Sequence, residues 1–266
     1  MSFSKIQSAG RYIFSTFRTF PRIIRALLKP GDKNILDNII FSCYKGSSSS
    51  SHSPGIKAIE TLRKSMLQSG NEIIRKEYGQ GSNVLANRAP TERVSEVCRI
   101  MSKSKSECLF LYYLIKILKP GYSIELGACL GISAAYIGVA LKENNNGRLV
   151  TLEGSPGRAK IAIENLESLG LGNYVSVLEG RFQDVLANHL NSIERLEFAF
   201  IDGHHDELAT IGYFNQLIPK FTGGGIMVFD DIFWSAGMNR AWKRIKKSEA
   251  VKDSFEFIGM GIVTLD

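Results

Sequence analysis

The fold of this chain is decided at Ser123-Ile-Glu-Leu-Gly-Ala-Cys-Leu-Gly-Ile-Ser133. A short apolar run carrying one carboxylate, Glu125, leads into Gly127 and Gly131. The run reads as a strand, the glycines as a tight turn, and the residues from Ile132 onward as a helix. Strand, glycine turn and helix form the start of a βαβ unit, where a doubly wound sheet holds a nucleotide-like ligand. Gly127 permits the turn, and Gly131 lets a ligand or a packed helix approach the backbone. A dinucleotide would want G-x-G-x-x-G, because a pyrophosphate needs close backbone and a helix N-terminus aimed at its charge. Here Cys129 fills the middle position and the third glycine is missing, which favours a ligand without phosphates at this turn.

Downstream, short apolar runs alternate with helical segments. Strands are expected at 122–126, 148–152, 174–178, 197–201 and 224–230, with a closing pair near 254–258 and 261–265. Helices are expected near 132–142, 156–169, 182–190, 206–218 and 236–247. This alternation implies parallel strands joined by right-handed crossovers, an α/β chain with a Rossmann-like, doubly wound, seven-stranded sheet. Residues 255–265 read as a hairpin, so the sheet is mostly parallel with an antiparallel last strand.

Upstream, residues 56–69 and 91–118 show helical periodicity, with Ser104 or Ser106 as the cap before Cys108. Between them lies a loop containing Glu77-Tyr-Gly-Gln-Gly-Ser82. The segment from Gly46 to Gly55 is serine-rich and reads as a linker. The chain thus divides into a basic arm (1–45), a linker (46–55), N-terminal helices forming a cap (56–120) and a ligand-binding domain (121–266). Of the formal net charge of +7, residues 1–50 hold eight Lys/Arg against Asp32 and Asp37. Arg11, Arg18, Arg22, Arg25 and Lys29 fall on one helical arc, with Phe17, Phe20, Ile24 and Leu28 broadly opposite and Pro21 between. Residues 11–29 either pack on the chain's own domain, dock peripherally on an anionic membrane or an acidic partner, or form a cleaved targeting segment. The remainder is nearly neutral, so no specific nucleic-acid partner is expected. Four scattered cysteines suggest neither a disulfide scaffold nor a zinc site and favour a reducing, cytoplasmic setting. No run approaches the ~18 apolar residues of a spanning helix.

The expected second strand ends at Glu153, a carboxylate placed to accept both hydroxyls of a ribose or, alternatively, to cap the helix beginning near Pro156. With these residues, positions 105–266 resemble a class I S-adenosylmethionine-dependent methyltransferase, in particular the catechol O-methyltransferase-like, metal-dependent small-molecule branch. That branch tolerates a non-glycine within E-x-G-x-x-x-G, as in Glu125-Leu-Gly-Ala-Cys-Leu-Gly131. The resemblance implies that S-adenosylmethionine is held by Glu125, Gly127, Ala128, Gly131, Ser133, Glu153, Gly154 and Asp202. Phe182 and Gln183 would border its adenine, with Phe182 as plain core the competing reading.

Two further apolar runs end in acids, Phe198-Ala-Phe-Ile-Asp202 and Gly225-Ile-Met-Val-Phe-Asp230-Asp231. Three carboxylates so placed call for a cation or a proton between them, and a hard ion such as Mg²⁺ suits them. In the resembled branch the matching positions hold such a metal, which makes Asp202, Asp230 and Asp231 the expected ligands. The catechol enzymes carry Lys where this chain has His205, so the resemblance assigns catalysis to His205 with Asp202 while leaving the base and the acceptor open. His204 and His205 could instead cap the following helix or ligate the ion. Phe233, Trp234 and Met238 either wall an acceptor pocket or pack in the core. The expected function is methylation of a hydroxyl on a small or sugar-like molecule. Metal-independent or N-directed methylation, and a non-catalytic nucleoside-binding module at a membrane surface, are the alternatives. A second copy of the chain, giving a homodimer, also stays open as a partner.

Overall fold

The structure is a computed structural model that describes residues 53–76, 78, 90–257 and 259–266. The basic arm, including residues 11–29, and the linker up to residue 52 lie outside the described residues. Seven strands form one sheet in the order β5-β4-β3-β6-β7-β9-β8. They are β3 (Tyr122–Leu126), β4 (Arg148–Glu153), β5 (Val175–Glu179), β6 (Phe198–Ile201), β7 (Gly225–Phe229), β8 (Val251–Phe257) and β9 (Met260–Leu265). β3, β4 and β5 pair in parallel, as do β6 and β7, whereas β9 runs antiparallel to both β7 and β8. The doubly wound sheet with one reversed strand is therefore as expected. The chain divides into two compact units, within residues 43–192 and within residues 193–266.

In the first unit, α1 (Pro54–Gln68) starts because Ser53 accepts a hydrogen bond from the Ile56 N–H and Pro54 presets the first turn. The linker reading therefore ran too far, since Pro54 and Gly55 are helical. The helical reading of 91–118 is also corrected. Thr91–Arg93 is β2, paired antiparallel with β1 (Glu72–Ile74), and the helix then splits into α2 (Val94–Met101) and α3 (Lys105–Leu118). Ser104 causes the split: it makes a capping box with Glu107 and so begins a new helix. α4 (Ile132–Asn144) is buried from Ile132 through Leu141, which explains its apolar residues on every side. Gly138 permits this, since a Cβ there would lie 2.5 Å from Val175 Cγ2. α5 (Pro156–Ser168) and α6 (Phe182–Asn191) follow β4 and β5.

In the second unit, β6 is buried throughout and leads to α7 (Glu207–Leu217), while β7 leads to α8 (Ala236–Ile245). Trp242 of α8 is buried against Phe229 and over Gly261 of β9, where a Cβ would meet its ring at 2.7 Å. All six residues of β9 are buried.

Candidate active site

In the first unit, two strand ends, those of β3 and β4, build a turn-and-carboxylate cradle. The N–H groups of Gly127 and Ala128 both donate to the Leu152 carbonyl, at 2.9 and 3.0 Å, which folds the glycine turn across the end of β4. Gly127 has φ 112° and Gly131 φ 81°, so both occupy backbone that disfavours side chains. Glu153 is buried at the end of β4; its Oε2 accepts from the Cys129 N–H and its Oε1 from the Ser155 N–H, each at 2.8 Å. The carboxylate thus fixes the glycine turn and the entry to α5 together. Gly154 follows, and Ser133 is buried in the first turn of α4.

Glu125 is buried in β3, where Oε2 accepts from Thr151 Oγ1 at 2.5 Å. Its Oε1 has no hydrogen bond of proper geometry among the described residues. Burial raises the Glu125 carboxyl from 4.5 to about 7, against the opposing effects of Ser133 and Thr151. The folded chain therefore holds a proton that the unfolded chain has released between those pH values. Stability from this group is complete below pH ~4.5 and is lost as pH rises through ~7, by about 3 kcal/mol in total. Urea titrations of the wild type and Glu125→Gln should diverge across that interval, and parallel pH profiles would refute this.

The second unit holds the acidic rim. Asp202 follows β6, Asp230 follows β7 with no exposure, and Asp231 comes next. His205 turns Nε2 toward Asp202 Oδ1 at 3.7 Å and Nδ1 toward Asp231 Oδ2 at 3.9 Å. His204 turns elsewhere, hydrogen-bonded to and stacked with Tyr213. Asp206 caps α7, accepting from the N–H groups of Leu208 and Ala209, so the cap reading of the histidines is replaced. Trp234 is 55% exposed, its ring centroid 6.3 Å from that of His205. Met238 does not join it: the side chain is buried and accepts from Thr210 Oγ1 at 3.3 Å.

Backbone strain marks the two places. Six non-glycine residues among those described have positive φ; Lys119 and Asn145 cap helices, and the others are Cys129, His204, His205 and Asp231. Left-handed backbone at such residues persists only where surrounding contacts enforce it.

Of the residues expected around the adenine, Phe182 is buried at the start of α6, while Gln183 is exposed. Among the described residues no group of three His, Cys, Asp or Glu side chains is arranged to hold a metal ion. Sequence reasoning missed Thr151, whose partner lies on a neighbouring strand, and Tyr78, whose ring edge covers Gly154.

Residues 124–232 match the family model described as a methyltransferase domain. This stretch, less than half of the chain, is similar to methyltransferase domains. A catechol O-methyltransferase from Niastella koreensis is 29% identical over 133 residues, covering 50% of this chain and 58% of that protein. A caffeoyl-CoA O-methyltransferase from Petroselinum crispum is 25% identical over 142 residues, covering 52% and 57%. The chain thus spans little more than half the length of these curated relatives. The chain also shares its fold with solved structures. An O-methyltransferase from Bacillus cereus in complex with S-adenosylhomocysteine (SAH) has a TM-score of 0.58 at 19% identity, over 85% of this chain and 96% of that one. An SAH-bound methyltransferase from Podospora anserina has a TM-score of 0.60 at 16% identity, over 88% and 97%. No helix among the described residues is long and apolar enough to cross a membrane.

Proposed function

We propose that the chain methylates a hydroxyl of a small molecule with S-adenosylmethionine as donor, an activity of the kind named in its catechol and caffeoyl-CoA relatives. The observation that carries this reading is Glu153, buried at the end of β4 and tied at both oxygens to the glycine turn and the α5 entry. A carboxylate so placed suits a ribose diol, which needs acceptors close to the turn. The orphaned Oε1 of buried Glu125 suits a cationic donor such as the ammonium of the methionine part. When bound, S-adenosylmethionine supplies an electrophilic methyl group on a sulfonium. The chain must then orient the acceptor oxygen and take its proton.

His205 is the residue for the proton. Its ring is held between carboxylates, and the imidazolium formed on accepting a proton faces Asp202 and Asp231. Trp234 offers an exposed aromatic face beside it for the acceptor. Asp202, Asp230 and Asp231 would be the residues to hold a divalent ion, which would supply activation of the acceptor hydroxyl, but among the described residues they form no three-donor group as they stand. The proton path is therefore derived from the imidazole alone.

Calorimetry with SAH tests the donor. Glu153→Ala should weaken SAH binding by roughly 1.5–3 kcal/mol, as for lost charge-assisted hydrogen bonds. Tight binding of NAD(H) with no response to SAH would refute the reading.

A further inference from the structure

The geometry points to Tyr78 as a positioning residue that walls the nucleoside subsite at the carboxyl ends of β4 and β5, held there by an ion-paired ribbon. This inference rests on the S-adenosyl reading above. Tyr78 belongs to the chain between β1 and β2, three-residue strands too short to hold their place unaided. They are fixed from outside. Glu92 of β2 is buried and grips Arg158 of α5 with both oxygens, Oε1 from Nε at 2.8 Å and Oε2 from Nη2 at 2.9 Å. Arg75 Nε adds a third contact to Glu92 at 3.3 Å. A buried ion pair is a poor source of net stability, and its use here is consistent with fixing position.

The ribbon lies against the first turn of α5, directly after the residues that fix the glycine turn. A Cβ at Gly157 would be 3.1 Å from Ile73 Cβ and 3.2 Å from the Ile74 carbonyl oxygen. Pairing continues to Arg75, whose N–H donates to Pro90 at 2.9 Å. Tyr78 is three residues further on, so its Cα stays within about 11 Å of that anchor. Its ring edge covers Gly154, where a Cβ would be 2.7 Å from Cδ2. It also lies near Arg181, just past β5. Gly154 follows the ribose-binding candidate, and Arg181 precedes Phe182 and Gln183. An aromatic ring held across these positions by a tether, with Lys76 Nζ over it at 5.6 Å from its centroid, gives a purine an aromatic surface to pack on.

The test is calorimetry on the full chain with two probes, SAH and 5′-methylthioadenosine, the second keeping the nucleoside without the amino-acid part. Tyr78→Ala should weaken both by about tenfold or more, the scale of losing one base–aromatic contact. Tyr78→Phe should stay within about threefold, since the ring carries the effect and not the hydroxyl. The melting temperature without ligand should hold, a readout that a merely structural role would move. If Tyr78→Ala does not fold, Tyr78→Leu keeps apolar bulk without an aromatic face and is expected to give the same loss. Unchanged or tighter binding, or a loss for SAH but not for methylthioadenosine, would overturn the inference and leave the donor reading standing. Absence of binding by the wild type to either probe would overturn both.

Discussion

Exchanging His205 for glutamine should lower turnover by about 10²–10⁴-fold, the usual contribution of a positioned general base. An acceptor hydroxyl is a weak nucleophile until its proton has somewhere to go, and His205 is the imidazole placed between Asp202 and Asp231. Glutamine keeps a similar length and a hydrogen-bonding head but cannot accept the proton. SAH binding should stay within a few-fold, because the donor contacts proposed here belong to Glu125, Glu153 and the glycine turn. The assay is SAH release over a panel of phenolic and sugar acceptors, with His204→Gln as control, since His204 is engaged by Tyr213. Repeating it in EDTA separates imidazole from ion: retained wild-type turnover agrees with the proton path derived above. Equal rates for His205→Gln and the wild type would remove His205 from the mechanism.

The second large effect is on stability. Glu92→Ala should cost about 3–5 kcal/mol, because it strands the buried Arg158 guanidinium and removes a partner of Arg75. Both Arg158 and Glu92 side chains are only 5% exposed, so water cannot replace the lost contacts. Replacing the two together by apolar residues of similar volume should recover much of the loss, since the penalty comes mainly from the unpaired charge. Urea denaturation of the single and double variants measures this. A loss under about 1 kcal/mol for Glu92→Ala would mean that the ribbon is not tied down by this pair.

Why the parallel part of the sheet was legible, and the ribbon not, is a matter of range. The runs at 122–126 and 148–152 announce themselves because buried strands are apolar over their own length, and β3 and β4 fall there within a residue. Glu72–Ile74 and Thr91–Arg93 carry no such pattern, and their stability depends on Arg158, 66 positions from Glu92. A local window contains neither partner. The same limit applies within the candidate site. Glu153 is visible as a strand-end acid, yet its attachment to Cys129 and Ser155 appears only when the turn is folded. Adjacent histidines are equivalent on paper; successive left-handed backbone conformations send one to Tyr213 and the other to the carboxylates. Cys129 at the middle glycine position was informative: it adopts φ 49° there, a left-handed conformation that still delivers its N–H to Glu153.

The place of β9 has a consequence for synthesis. It lies between β7 and β8 in the sheet but follows both in the chain. As the polypeptide leaves the ribosome, β7 is complete by residue 229 and must wait until residues 260–265 emerge before that edge is paired. Its apolar residues Ile226 to Phe229 stay uncovered on that side through the interval, a period open to misassociation with other nascent chains. Ribosome-bound chains stalled shortly before residue 260 should therefore be substantially more protease-sensitive within 193–259 than chains extended past residue 265.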